Sequence, residues 1–209
     1  MILITGFGPY QQSTNASGVL VKSLRDDLTK ELLPLRERLI FEVITCENTS
    51  RETESLRLEA QLSELLKRHQ PSLCIHTGQA PPYNKITIEK IATNSFMREI
   101  IDPERPVAYW SNLPGTDDLK QVLEDQGIPA GYSFCCGQHL CNHILYSSRY
   151  FAEKNGHLHK SGFVHVPLLP EQVMKEHCDS PYMPLKMSRK ALSLIIHHVA
   201  KVQQNTSRN

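Results

Sequence analysis

The stretch GQHLCNHILY, Gly137 to Tyr146, sets Cys141 shortly after a glycine and at the start of an apolar helical pattern. Backbone N–H groups in a first helical turn lack intrahelical acceptors, and the helix dipole there favours an anion. A thiol at that address is expected to ionise readily and to serve as a nucleophile. His165, near the end of the run GFVHVP in a strand that Pro167 terminates, is the candidate base to take the cysteine proton and return it to a leaving amine. Glu89 is the one carboxylate inside ITIEKIATN, between Ile88 and Ile91. A carboxylate in so apolar a setting needs a partner, and holding an imidazolium would supply one. The three make a Cys–His–Glu triad for acyl transfer. Each also has a plainer reading: Cys141 as a packed thiol, His165 as a strand histidine hydrogen-bonded in place, Glu89 as a solvated edge-strand residue. Spacing alone leaves both readings open.

The elements that must position these residues alternate. Met1–Thr5, Leu39–Thr45, Ser72–Thr77, Ile86–Asn94, Gly131–Cys136 and the run SGFVHVPLLP read as strands, with Gly78 stopping the third. Helices are expected from Asn15 or Ser17 to about Thr29, from Thr49 and Ser50 to about His69, over Asp117–Gln126, after Gly137, and over Ser188–Val202. In the second of these, Leu56, Leu58, Leu62, Leu65 and Leu66 are placed inward, and in the last, Leu192, Ile195, Ile196 and Val199. Strands separated by helices imply crossover connections, a mostly parallel sheet and helices on both faces, an α/β fold. The segment Ser95–Pro114, with three prolines and Trp110, has poor periodicity and reads as a long loop of the lid or binding kind.

No repeat, low-complexity tract or linker interrupts the 209 residues, so a single domain over 1–209 is expected, with 203–209 as a frayed polar tail. A formal charge of +1 gives no electrostatic reason to expect nucleic acid or an anionic membrane as partner. MILITGF is too short for a signal-peptide core, and no apolar run approaches the roughly 20 residues of a membrane span. The cysteines at 46, 74, 135, 136, 141 and 178 show no C-x-x-C pair or secreted-domain spacing, which points to free thiols in a reducing cytoplasm.

Six segments in order carry a resemblance: GFGPY…TNASGVLVKSL, HTGQA, ITIEKIATN, AYWSNLP, GIPAGYSFCCGQHLCNHILY and SGFVHVPLLPEQ. Together, from Met1 to about Gln172, the chain resembles the pyroglutamyl peptidase I (pyrrolidone carboxyl peptidase) family of cysteine peptidases. The resemblance implies a three-layer α/β/α sandwich around a mostly parallel twisted sheet. It further implies removal of N-terminal pyroglutamate from peptides, no cofactor and no metal, and a homo-oligomer, tetramer or dimer. Cys141, His165 and Glu89 fall at the family's nucleophile, histidine and glutamate. Phe7 and Tyr10 match aromatics that sandwich the lactam ring, Asn15 a pocket asparagine, and Gln79 a residue that helps bind the lactam. His139 stands where an aromatic pocket residue is usual.

Four residues depart from the family pattern: Tyr83, in the PPYNK loop, near an arginine position; His139; Cys136, for a small residue before Gly137; and Tyr10, for phenylalanine. All four are expected around the lactam pocket and clear of the triad. They keep open a related Cys–His–Glu amidohydrolase with a shifted cyclic or small acyl amide, and a non-catalytic binding protein on the same fold. His139 and His143, one helical turn apart, raise a metal site that lacks a clear third ligand.

Overall fold

In a computed structural model, residues 1–10, 14–47, 49–154, 156, 159–175 and 179–206 are described. Cys178 and residues 207–209 of the expected tail lie outside them. The chain runs β1 (Ile2–Phe7), α1 (Ala16–Asp26), β2 (Leu39–Ile44), α2 (Arg51–His69), β3 (Leu73–Gln79), β4 (Ile86–Glu89), β5 (Ile91–Thr93), β6 (Ser95–Phe96), β7 (Glu99–Ile100) and β8 (Ala108–Trp110). It continues through α3 (Leu119–Glu124), β9 (Ala130–Ser133), α4 (Leu140–Lys154), β10 (Lys160–Val166), α5 (Pro170–Lys175) and α6 (Leu185–Thr206). The main sheet has the order β2-β1-β3-β10-β4-β9. The first four strands run parallel; β4 lies antiparallel to β10, and β9 follows β4.

Strand alternation builds the two outer layers. Ile2, Ile4, Leu73, Ile75, Val164 and Val166 pack with α1, α3 and α6 on one face. Their neighbours Leu3, Cys74 and Phe163 pack with α2 and α4 on the other. Strands β1, β3 and β10 are therefore apolar on both sides, as central parallel strands must be. Asn15 caps α1 by accepting the Ser17 N–H, and Ser50 caps α2 by accepting that of Thr53. The inward residues of α6 are buried as the pattern requires.

Several expected boundaries differ, each for a visible reason. Gly78 does not stop β3 but sits inside it, because a Cβ there would come within 2.7 Å of both Cys141 Sγ and Phe163 Cζ. The strand expected over 86–94 divides at Lys90, and its second half pairs with β8 in a separate ladder. The long loop holds β6, β7 and β8; Asn94 ties it internally by donating to the Asp102 and Arg105 carbonyls and accepting the Asp102 N–H. Leu56, two residues out of phase with Leu58, is exposed, and the buried residue near the start of α2 is Glu54, which accepts from the Glu47 and Thr49 N–H groups. Strand β9 ends at Ser133 rather than Cys136, and α6 extends to Thr206, into the expected tail.

A polar network locks the loop to the helices behind the sheet. Glu59 of α2 accepts from Arg105 Nη1 at 2.6 Å and Ser147 Oγ at 3.1 Å, and lies 3.3 Å from His143 Nε2. Arg105 also bonds Asp102 and stacks over Tyr150. Burial pushes the Glu59 carboxyl up, but His143 and Arg105 overcome it and hold the group at about 2. A depressed carboxylate contributes stability above its unfolded value of 4.5, lost as pH falls toward 2. Glu59→Gln is expected to cost about 2 kcal/mol in urea unfolding at pH 7, with the deficit shrinking as pH is lowered through that window.

Candidate active site

Three strands and one helix meet where the sheet reverses direction. In the β3–β10 ladder His165 stands opposite Gly78, and in the β10–β4 ladder Phe163 stands opposite Glu89. Directly paired residues share a face, and so do residues two apart in a strand. Glu89, Phe163 and His165 therefore all point toward the α2–α4 layer. Glu89 Oε1 and His165 Nδ1 lie 2.7 Å apart. Cys141, the second residue of α4, lays its sulfur over the bare backbone of Gly78, beside His165. The three candidate catalytic residues, 52 positions apart at Glu89 and Cys141 and another 24 at His165, converge.

The pair is dry. Glu89 is fully buried and His165 is 5% exposed. Burial by itself would push His165 down; the charge and hydrogen bond of the Cys141 sulfur, then those of Glu89, raise it from 6.5 to about 9. The imidazole is also fenced by two rings, Phe163 at 4.7 Å and Tyr83 edge-on at 5.5 Å.

Beside the sulfur opens a cavity of about 260 Å³, lined by Phe7, Tyr10, Asn15, Cys46, Gln79, Pro81, His139, Leu140 and Cys141. All five residues matched to substrate binding, Phe7, Tyr10, Asn15, Gln79 and His139, face it. Two of its amides are fixed by the scaffold. Asn15 Oδ1 accepts from the Ser17 N–H at 3.0 Å and hydroxyl at 2.7 Å; Gln79 Oε1 accepts from the Ala16 N–H at 2.9 Å and Gln172 Nε2 at 3.0 Å. A larger cavity of about 700 Å³, among residues 27–31, 126–128 and the start of α6, is lined by neither cysteine nor histidine. Size would point there, but it is the smaller cavity that adjoins the Cys141 sulfur.

The four departures separate into two pairs, which corrects the expectation that all ring the pocket and none touches the triad. Tyr10 and His139 line the cavity. Tyr83 instead rests its ring against His165, and the Cys136 sulfur comes within 4.8 Å of ligand atoms of both Glu89 and His165. His139 and His143 serve different ends: His139 faces the cavity, while His143 is buried with Nε2 at Glu59. Pro81, of the PPYNK loop expected around the pocket, lines it; Cys46 and Leu140 line it too without a pocket signal in the sequence, although Cys46, just past the C-terminal end of β2, obeys the same strand-end rule as His165.

The family model described as pyroglutamyl peptidase matches residues 1–202. A pyrrolidone-carboxylate peptidase of Bacillus mycoides is 32% identical over 215 residues, covering 97% of this chain and 94% of its own. Another, from Caldanaerobacter subterraneus, is 29% identical over 96% of this chain and 98% of its own. Among solved structures, a mutant pyrrolidone carboxyl peptidase from Pyrococcus furiosus superposes with a TM-score of 0.82 at 26% identity, covering 96% of this chain and 98% of that one. The enzyme from Thermococcus litoralis gives 0.79 at 26% identity, covering 99% and 94%.

The elevated imidazole yields a prediction with a definite sign. A group raised on folding stabilises fully below its unfolded value, here 6.5, and the benefit drains away as pH climbs through about 9. The His165 Cε1–H resonance is expected to titrate near 9 in the native protein. In Cys141→Ala its midpoint falls, because the sulfur is the largest of the raising influences. An unmoved midpoint would remove the sulfur from contact with the ring.

Proposed function

Because the chain belongs to the pyroglutamyl peptidase family, we propose that Cys141, His165 and Glu89 are the residues with which it hydrolyses the amide bond after an N-terminal pyroglutamyl residue. It is a hydrolase and a cysteine peptidase, acting on peptides. The observation that carries the assignment of roles is the 2.7 Å contact between buried Glu89 and His165, with the Cys141 sulfur alongside.

The resting proton sits on His165, whose charge Glu89 balances. The Cys141 sulfur attacks the pyroglutamyl carbonyl carbon, and the carbonyl π pair moves onto oxygen. N–H groups in the first turn of α4 face that oxyanion, each donor of this kind being worth about 3 kcal/mol. As the tetrahedral species collapses, the C–N bond breaks and His165 Nε2 gives its proton to the departing amine. A thioester on Cys141 remains. His165, now neutral, draws a proton from water, the hydroxide oxygen adds to the thioester, and pyroglutamate leaves as the sulfur departs. The ring pocket is the 260 Å³ cavity, with Phe7 and Tyr10 as apolar walls and Asn15, Gln79 and His139 as its polar contacts.

The hydroxyl of Tyr10 and the imidazole of His139 make this cavity more polar than an all-aromatic one. That favours a second reading, the same triad with a shifted cyclic or small acyl amide as substrate. kcat/KM on pyroglutamyl, prolyl and acetyl amides of one leaving group separates the two; a pyroglutamyl preference below tenfold supports the second. We further read 1–209 as one peptidase domain, and the protein as a cytoplasmic homo-oligomer, tetramer or dimer. A nucleophile that must stay reduced supports the compartment, and no described helix is long and apolar enough to cross a membrane. Sedimentation tests the assembly.

Cys141→Ala or Cys141→Ser is expected to lower turnover of a pyroglutamyl-aminoacyl chromogenic substrate at least a thousandfold while the protein remains folded by circular dichroism; retained activity rejects the nucleophile. Iodoacetamide near neutral pH should label Cys141 ahead of Cys46 and Cys74, whose thiols burial pushes up to about 12. Peptide mapping after brief exposure reads the order.

A further inference from the structure

One buried nucleophilic group has no part in this mechanism. Cys136 is 2% exposed, just past the end of β9, yet flanked by exposed Cys135 and Gly137. Its sulfur, a carboxylate oxygen of Glu89 and a ring nitrogen of His165 all lie within 4.8 Å of one another. Glu89, with no solvent exposure, keeps its second oxygen, Oε2, without a hydrogen-bond partner among the described residues. A fully buried carboxylate with one unmet oxygen, close to a thiol and an imidazole, is an incomplete polar cluster.

We propose that Glu89, Cys136 and His165 form a binding site for a soft divalent cation, zinc foremost, and that its occupancy arrests the peptidase. The donor set is one sulfur, one imidazole nitrogen and one carboxylate oxygen, which selects zinc over the oxygen-seeking magnesium and calcium. Three protein ligands leave a fourth position for water. Tetrahedral zinc spaces such atoms roughly 3.3–3.8 Å apart, so the Cys136 sulfur moves in by at most about 1 Å while the Glu89–His165 contact, now 2.7 Å, opens. Cys136, in the connection between β9 and α4, belongs to neither element and supplies that movement. On binding, the Cys136 thiol and the His165 imidazolium each give up a proton to solvent, the freed nitrogen lone pair of His165 goes to the metal, and the Glu89 carboxylate turns from the imidazole to the cation. His165 then neither carries the proton to the leaving amine nor stays aligned by Glu89. The metal here is a brake and not a cofactor. The inhibitory part of the proposal rests on the triad reading above; the binding part does not.

The test separates them. In chelator-treated protein, Cys136→Ala is expected to keep wild-type turnover while raising the zinc concentration for half-inhibition at least tenfold. Equal zinc sensitivity in wild type and variant overturns the proposal. Cobalt is the spectroscopic probe: Cys141→Ala with Co²⁺ should show a thiolate-to-cobalt charge-transfer band that Cys136→Ala/Cys141→Ala lacks. No band in Cys141→Ala, or the same band in the double variant, overturns the site whether or not Cys141 is the nucleophile. Should Cys136→Ala fold poorly, Cys136→Ser keeps the volume and loses the soft ligand, with the same outcomes expected.

Discussion

The arrangement depends on one interaction, the hydrogen bond between a fully buried carboxylate and an almost fully buried imidazole, Glu89 to His165. An isolated charge in that place would be expelled or neutralised, since desolvation costs several kcal/mol per ion. The two groups tolerate burial because they are opposite in sign, in contact, and accompanied by the sulfur of Cys141. Everything that fixes their distance is backbone. The ladders β3–β10 and β10–β4 set which residues face which, and a slip of a single residue would turn Glu89 to the wrong side of the sheet. Strand β9 closes the other edge of β4, so the strand carrying the carboxylate is pinned on both sides.

That dependence explains what the sequence could and could not reveal. The layers, the parallel strands, the helix caps at Asn15 and Ser50 and the inner face of α6 all rest on local periodicity, and they were legible. Cys141, His165 and Glu89 were legible as types in revealing settings: a thiol at a helix start, a histidine at a strand end, a carboxylate among isoleucines. Their meeting was not. The reversal of β4 relative to β10 has no signature in the run ITIEKIATN, and it is this reversal that sets Glu89 opposite Phe163, two residues before His165 and on the same face. A glycine inside a strand usually signals an interruption, but the reason for Gly78 lies in another element, the sulfur carried by α4. The positions of Tyr83 and Cys136 are likewise set by other elements. Both neighbour pocket segments in sequence, but their side chains turn to the imidazole instead of the ring cavity.

The recognition half of the site is built more loosely than the reacting half. The cavity draws on β1 and the segment after it, the residue past β2, the end of β3, the residues that follow it and the start of α4. Its amides are oriented by the cap of α1, on the opposite face from α4, and by Gln172 of α5. Substitutions such as Tyr10 and His139 can alter ring fit without disturbing the strands that hold the carboxylate and imidazole.

The missing side chain at Gly78 has a stereochemical result. With strand backbone directly beneath it and the Phe163 ring close by, the Cys141 sulfur is shielded from below and open only above, toward the cavity. Under the roles proposed, an acyl carbon can meet the sulfur only along an approach from the cavity side.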